Sequence, residues 1–342
     1  MAVTRADVAR RAGVSPAVVS YVLNPGMRPV SAETRQRVLA AIEELGYRPN
    51  AIAQSLRRGP TRTLGLLLPD HANPFFSELA AAIEDRAFER GYVLLVGSTS
   101  EDPQREMTYL NKFLDRQVDG LILIVSQDET CLAAQQSATP VVALDRFPPA
   151  ADISSIQTDG KRGAEEAITH LADLGHRHIG IISGPEGLPV AMERLQMWRA
   201  AAATRPEIEC RAQCAAPYTR EGGYVAMGEL LKSEVTAVVT ACDVHAVGAL
   251  SAIRDMGLAV PEDISLISYD GTGIARYTLP PLTVVSQPIE LMGQRAVDRL
   301  IAQIAGEVHE DIHEYLEPHF DVRSSTGPLR ESGHAVGEAG RR

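Results

Sequence analysis

The chain has 342 residues, 45% of them apolar, 23% charged and 5% aromatic, an ordinary globular composition with length for about two domains and a small third. No apolar run reaches the ~18 residues of a membrane span, the start carries no secretory core, and four cysteines without a CxxC pair exclude a disulfide framework. A reduced, cytoplasmic setting is expected. The net charge of −11 argues by itself against a nucleic-acid partner, yet residues 1–62 hold ten arginines and four acids, net +6, leaving −17 on the rest. A small basic head on a large acidic body is the electrostatic footprint of a DNA reader joined to another function.

In the head, Thr4-Arg5-Ala6-Asp7 has the form of a capping box, after which Val8 and Ala12 recur at helical spacing. Gly13 ends that helix, because glycine turns the chain there without strain. Ser15 can cap a second helix with Pro16 at its first position, where the missing N–H costs nothing, ending near Asn24-Pro25-Gly26. Ser31 opens a third, with Val38, Ile42 and Leu45 on one face. This order predicts a helix-turn-helix head over 1–48 whose second helix enters the major groove. Ser15, Ala17, Ser20 and Tyr21 are expected to face outward and Val14, Val19 and Val22 inward. Pro16 and Ala17 offer a base no side-chain hydrogen bond, so direct readout should be thin and rest on Tyr21, thymine methyls and phosphate anchoring. An unspecialised three-helix bundle would read similarly.

The continuation separates these readings. AxxAGVSxxxVSxVLN from Ala9, VSxxTRxRVxxAIxxLGYxPN from Val30 and AxxLR from Ala53 resemble the lactose-repressor (LacI/GalR) family of bacterial transcription regulators, densely over the head and through most of the chain. The resemblance implies DNA contacts from Thr4, Ser15, Pro16, Ala17, Ser20, Tyr21, Asn24, Asn50, Ala53, Leu56 and Arg57. It also implies a hinge helix over 49–60, ordered on the operator beside its dimer mate, with Leu56 wedged into the minor groove. A segment this short is unstable alone, and an apolar wedge backed by arginines suits minor-groove kinking; the plainer reading of Leu56 is a core leucine in a linker. Val18 stands where the family usually has threonine, which removes one phosphate contact.

From residue 63 apolar stretches alternate with helical ones: 63–68, 92–98, 120–125, 141–145, then 179–183, 237–241, 264–269 and 283–286. Continuous apolar strands between amphipathic helices predict parallel sheets covered on both faces. A break near Ile153–Asp159 divides the series into two similar halves. The expected fold is α/β: an all-α head plus a body, 61–325, of two doubly wound lobes with a ligand cleft at the strand C-termini. Lobe 1 is expected over about 61–158 and 289–317 and lobe 2 over about 159–287 and 318–325, the chain crossing near Asp159, Gln287-Pro288 and Pro318. The body resembles the periplasmic-binding-protein fold of that family's effector domain. The polar, glycine-containing segment 326–342 has no heptad leucines, so a disordered tail and a dimer without a tetramerising coiled coil are expected.

Asn73-Pro74-Phe75-Phe76 follows the first strand and matches the family's aromatic pocket wall. Asp145-Arg146, Asp159, Arg194, Tyr218, Asp243 and Asp270 match further effector-contacting positions and Cys242 occupies another, although each could merely cap a helix or pair across the lobes. Arg194 with Asp270 would fork onto vicinal hydroxyls or a heterocycle edge. Cys242 and His245 depart from the family, which commonly has asparagine and methionine there. A sugar effector is favoured over a nucleobase by the carboxylates.

Catalytic readings are weaker. His309-Glu310-Asp311-Ile312-His313 is a literal HExxH, but it follows Gly306 and leads into an apparent strand over 315–320, whereas zinc requires both histidines on one helical face. His176 and His178 are expected on the surface before a strand, and Cys210 and Cys214 as ordinary thiols. No nucleophile elbow, Walker loop or GxGxxG occurs. The sequence therefore predicts a non-enzymatic, ligand-responsive repressor that binds a palindromic operator as a homodimer, without metal or cofactor. The competing reading is a stand-alone sugar-binding or sugar-modifying α/β protein without DNA function.

Overall fold

The computed structural model describes residues 3–23, 28–47, 61–125, 128–146, 152–308 and 310–330. The chain divides into two compact units, residues 1–61 and 62–342, each described by itself.

In the first unit, α1 (Arg5–Ala12), α2 (Pro16–Leu23) and α3 (Ala32–Leu45) close on Val8, Ala9, Ala12, Val19, Val22, Val38 and Ala41. The helices start where local chemistry satisfies their free N–H groups. Thr4 and Asp7 form a reciprocal capping box, and the Ser31 hydroxyl accepts from Thr34 N at 3.3 Å. Gly13 ends α1 in the left-handed conformation at φ +66°, so α2 leaves in a new direction within two residues.

The second unit holds two six-stranded sheets. In the first, β1 (Thr63–Leu68), β2 (Val93–Ser98), β3 (Gly120–Leu123), β4 (Val141–Leu144), β5 (Ser154–Thr158) and β11 (His313–Leu316) run parallel in the order β11-β5-β4-β3-β1-β2. The second contains β6 (His178–Ser183), β7 (Glu209–Ala215), β8 (Ala237–Thr240), β9 (Ser265–Asp270), β10 (Thr283–Ser286) and β12 (His319–Asp321), ordered β12-β10-β9-β8-β6-β7 with β12 antiparallel. The chain passes between sheets after β5, after β10 and between β11 and β12.

Helices cover both faces of each sheet, which is why central strands such as β1, β3, β4 and β8 are apolar almost throughout. On the first sheet, α4 (Pro74–Glu89) and α11 (Ile289–Ile304) pack one face, and α5 (Pro103–Asp115) and α6 (Asp128–Gln135) the other. On the second, α7 (Gly160–Asp173) and α8 (Pro189–Ala203) oppose α9 (Arg220–Leu230) and α10 (Asp243–Asp255). Gly293 lets α11 approach α4 closely: an added Cβ would lie 2.8 Å from Ala82 Cβ.

Several expectations change. The stretch 153–159, expected as a break, holds β5, whose buried Ser154 and Ser155 hydroxyls bond Asp311 and His313 across to the β11 side. The stretch 315–320 contains parts of two strands in different sheets, split at Glu317-Pro318. His313 opens β11, and a strand cannot present the single helical face an HExxH zinc site needs; His309 lies outside the described residues. His176 is buried, not superficial, and bonds Thr236, Ser265 and the Gly327 carbonyl. Residues 325–329 are tied into the second lobe: Ser325 donates to the Leu266 carbonyl, and Leu329 N–H donates to the Leu174 carbonyl at 2.8 Å. A tail beginning at 326 is therefore set too early.

Candidate functional site

Two sites emerge, one in each unit. On the head, Ser15, Pro16 and Ala17 are exposed at the start of α2, while Val19 and Val22 are buried beneath them. Ser15 Oγ accepts from Val18 N at 3.4 Å, so it caps the helix. Tyr21 is half-buried, and Ser20 Oγ accepts from Arg5 Nη1 at 2.6 Å. Thr4 is exposed, but its hydroxyl donates to Asp7, whose carboxyl this bond holds below its ordinary range. An exposed helix N-terminus flanked by short side chains approaches phosphate closely and reads few base edges. Asn24, Asn50, Ala53, Leu56 and Arg57 lie outside the described residues.

The body has a narrow cavity of about 20 Å³, room for about one water, where the strand C-termini of the two lobes face each other. The first lobe contributes Asn73, Phe75 and Phe76 from the start of α4, and Asp145 and Arg146 after β4; the second contributes Val190 and Arg194 of α8, Tyr218, Cys242 and Asp270. Asn73 caps α4 by accepting from Phe75 N at 3.1 Å, and the two phenylalanines pack edge to face at 5.2 Å. Asp145 and Asp270 end corresponding strands, and both hold positive φ, +65° and +108°. Non-glycine residues adopt that region at a cost, and such strain concentrates at functional sites.

Charges inside are paired but not saturated. Arg146 binds Glu101 with two bonds of 2.9 and 2.7 Å and lies 5.8 Å from the Phe76 ring centre. Arg194 donates to the Ala241 carbonyl at 2.6 Å, sits 3.7 Å from Asp270 and stacks over Tyr269 at 4.2 Å. Burial raises the Asp145 carboxyl, partly offset by Arg194 and Arg146, and lifts Asp270 well above the ordinary range, partly offset by Arg194. Burial also pushes the Tyr218 phenol up to about 12 and keeps the Cys242 thiol protonated. Arg146 Nε, 3.9 Å from an Asp145 oxygen, and Tyr218 Oη are buried donors without a hydrogen-bond partner among the described residues. Buried donors are rarely left so, and these two can bind an incoming acceptor.

The structure brings Phe75, Phe76, Arg146, Arg194, Tyr218, Cys242 and Asp270 together and separates two other candidates from them. Asp243 spends its carboxylate on Ser268 Oγ (2.5 Å), Thr272 N (2.7 Å) and Thr272 Oγ1 (2.6 Å), pinning α10 to the loop after β9. Asp159 caps α7 through Arg162 N. Neither lines the cavity. Asp145, paired with Arg146 in the sequence reading, lines the cavity beside it, and Val190, whose side chain carries no polar signal in the sequence, joins them.

A helix-turn-helix head and a two-lobed body with a charged interlobe cavity define a ligand-responsive, DNA-binding transcription regulator. Residues 4–50 match the bacterial regulatory proteins, lacI family, and residues 168–326 the periplasmic binding protein-like domain. The chain is 34% identical over 338 residues to the HTH-type transcriptional repressor CytR of Escherichia coli (strain K12), covering 96% of this chain and 97% of that one. It is 38% identical over 328 residues to the ribose operon repressor of the same strain, with 94% and 99% covered. The lac repressor dimer bound to operator and an anti-inducer superposes with a TM-score of 0.84 at 32% identity, over 96% of this chain and 100% of that one. The chain belongs to the lacI family of bacterial regulatory proteins. It is a transcription regulator, as these repressors are.

Proposed function

We propose that the protein is a cytoplasmic repressor that binds a palindromic operator as a homodimer and changes its DNA affinity when the lobes part to admit a sugar or related polyol to the interlobe cavity. The cavity carries this reading: two guanidinium groups, two buried carboxylates and two free donors surround one small space walled by Phe75 and Phe76. Planar forks and carboxylates bind hydroxyl pairs, and an aromatic wall covers the apolar face of a sugar ring. The similarity to a ribose operon repressor supports a pentose. The alternative, a stand-alone sugar protein, leaves the basic head without a use.

A second copy is supported by exposed apolar surface. Tyr277 and Leu279 are 89% and 93% exposed beside a groove of about 660 Å³ lined by Val247, Leu250 and Leu258, and Phe88 is 79% exposed. Patches of this kind mark interfaces, and two symmetric heads match a palindrome. Gel shift with DNA flanking its own gene, with D-ribose, D-xylose, cytidine and hypoxanthine as probes, tests the whole. A palindrome-specific complex altered by a pentose supports the proposal. Absence of any complex even at low salt overturns the DNA role, and a response to hypoxanthine alone overturns the sugar. Sedimentation equilibrium at micromolar concentration should give two chains; a mass of one or four refutes the dimer.

A further inference from the structure

The residue at 245 is fully buried yet polar, and nothing in the DNA or ligand roles above uses it. His245 lies in the first turn of α10 with its Nε2 2.7 Å from the Pro217 carbonyl. A carbonyl only accepts, so Nε2 carries the proton and Nδ1 is left as a lone pair, which has no partner among the described residues. The imidazole also stacks on the Tyr218 ring, with centres 5.4 Å apart and planes 22° from parallel. One side chain thus holds the residue before Tyr218 by its backbone and Tyr218 itself by its ring.

The scaffold beneath this contact is stiff. A Cβ on Gly223 would overlap the His245 carbonyl, and one on Gly248 the Arg220 carbonyl, so α9 and α10 meet backbone to backbone. Tyr218 Oη also lies close to Gly184, where an added Cβ would overlap it. The phenol packs against both Gly184 and His245, lines the cavity and keeps an O–H without a hydrogen-bond partner there. A donor held in place by packing discriminates more sharply than one free to turn away, because a ligand lacking the matching acceptor leaves it buried and unpaired.

We infer that His245 is a positioning residue which fixes the Tyr218 hydroxyl as a donor into the cleft, and that this pair selects effectors carrying an oxygen acceptor at that point. The inference rests on the cleft being the effector site. A methionine here could fill the volume but could not bond Pro217 or stack as a plane.

The test uses the full-length protein and the variants His245→Met, His245→Gln, Tyr218→Phe and the His245→Met/Tyr218→Phe pair. Probes are D-ribose and its single-deoxy analogues, read by fluorescence of Trp198, the chain's one tryptophan, which packs against Tyr269 under Arg194. In the wild type one analogue should bind about tenfold more weakly than D-ribose, the loss of about one buried hydrogen bond. That discrimination should vanish in Tyr218→Phe and in His245→Met, with no further loss in the pair. His245→Gln, which keeps a donor for Pro217, should recover part of it. A folded His245→Met that still discriminates like the wild type overturns the inference. If the wild type binds none of these sugars, the sugar reading fails, and ring-labelled tyrosine NMR decides the positioning role. The Tyr218 signal, assigned through Tyr218→Phe, should lose its ring-current shift and broaden in His245→Met; a Tyr218 ring equally ordered in His245→Met overturns it.

Discussion

Removing the guanidinium at 194 tests the cleft most directly. Arg194→Ala deletes a 2.6 Å bond to the Ala241 carbonyl, a 3.7 Å ion pair with Asp270 and a 4.2 Å stack on Tyr269, from a side chain only 13% exposed. Breaking a buried charge pair from one side costs about 3–5 kcal/mol. Asp270 limits the loss, because its carboxyl already lies well above the ordinary range and gains a proton instead of remaining a bare charge. We expect about 3 kcal/mol, a fall in Tm of about 6 °C or more for a body of this size. An acid raised by folding contributes stability that is present at low pH and lost as pH rises from its unfolded value through its folded one. The deficit of Arg194→Ala should therefore shrink on acidification from pH 7 to 5. Adding Asp270→Asn should restore about half of the Tm at pH 7, since the amide needs no counter-charge and Gln287 already bonds that position. Calorimetry across this pH range, with gel shifts at each step, gives the answer. Operator binding should persist while the sugar response is lost. A deficit that grows toward low pH, or a double variant no better than the single, would refute the electrostatic account.

Other outcomes follow from neighbouring contacts. Glu78 of α4 accepts from Gly273 N–H at 3.0 Å and so links the two lobes away from the crossovers; Glu78→Ala should widen the average lobe separation in small-angle scattering, whereas an unchanged profile means the contact does not hold closure. Burial lowers His245 to about 4, helped by the nearby Arg194 charge and opposed by the Pro217 carbonyl. Its stabilisation is therefore complete above about pH 6.5 and is lost as pH falls toward 4, roughly 3 kcal/mol in all. His245→Met should flatten that acid limb in urea titrations, and identical limbs would remove the assignment. Leu56→Ala should weaken operator binding by about 1–3 kcal/mol without moving the Tm of the body, because the bend is no longer repaid by a wedge; unchanged affinity would sink the minor-groove role.

The parallel sheets could be read in advance because strands such as Leu64–Leu68 and Val238–Val239 are buried on both faces and leave an unbroken apolar signature. The polar strand β5 could not, since its serines are satisfied by Asp311 and His313, residues more than 150 positions away. Edge strand β7 shows little pattern because one side of it lacks a neighbour. The same limit governs the cleft. Asp270, Asp243 and Asp159 all follow strands, but only the folded path of the chain decides that the first faces the cavity while the others bond Thr272 and Arg162. His176 looked superficial beside Arg177 because its three partners come from two distant strands' ends and the C-terminal segment.

The three passages between the sheets also bear on how the protein is made. A ribosome delivers the chain from its N-terminus, yet the first sheet needs β11, and its core needs Met292, Ala296, Val297 and Leu300 of α11. The second sheet needs β12 and then Ser325, which closes on Leu266 and Thr283. Neither half is complete until nearly the last described residue has emerged. Domains that form one after another during synthesis shield their apolar surface early; this body cannot, and its partly made sheets must wait uncovered. The interleaving that couples the lobes in the folded regulator thus leaves the growing chain dependent on α11, β11 and β12, and most exposed to aggregation until they have emerged.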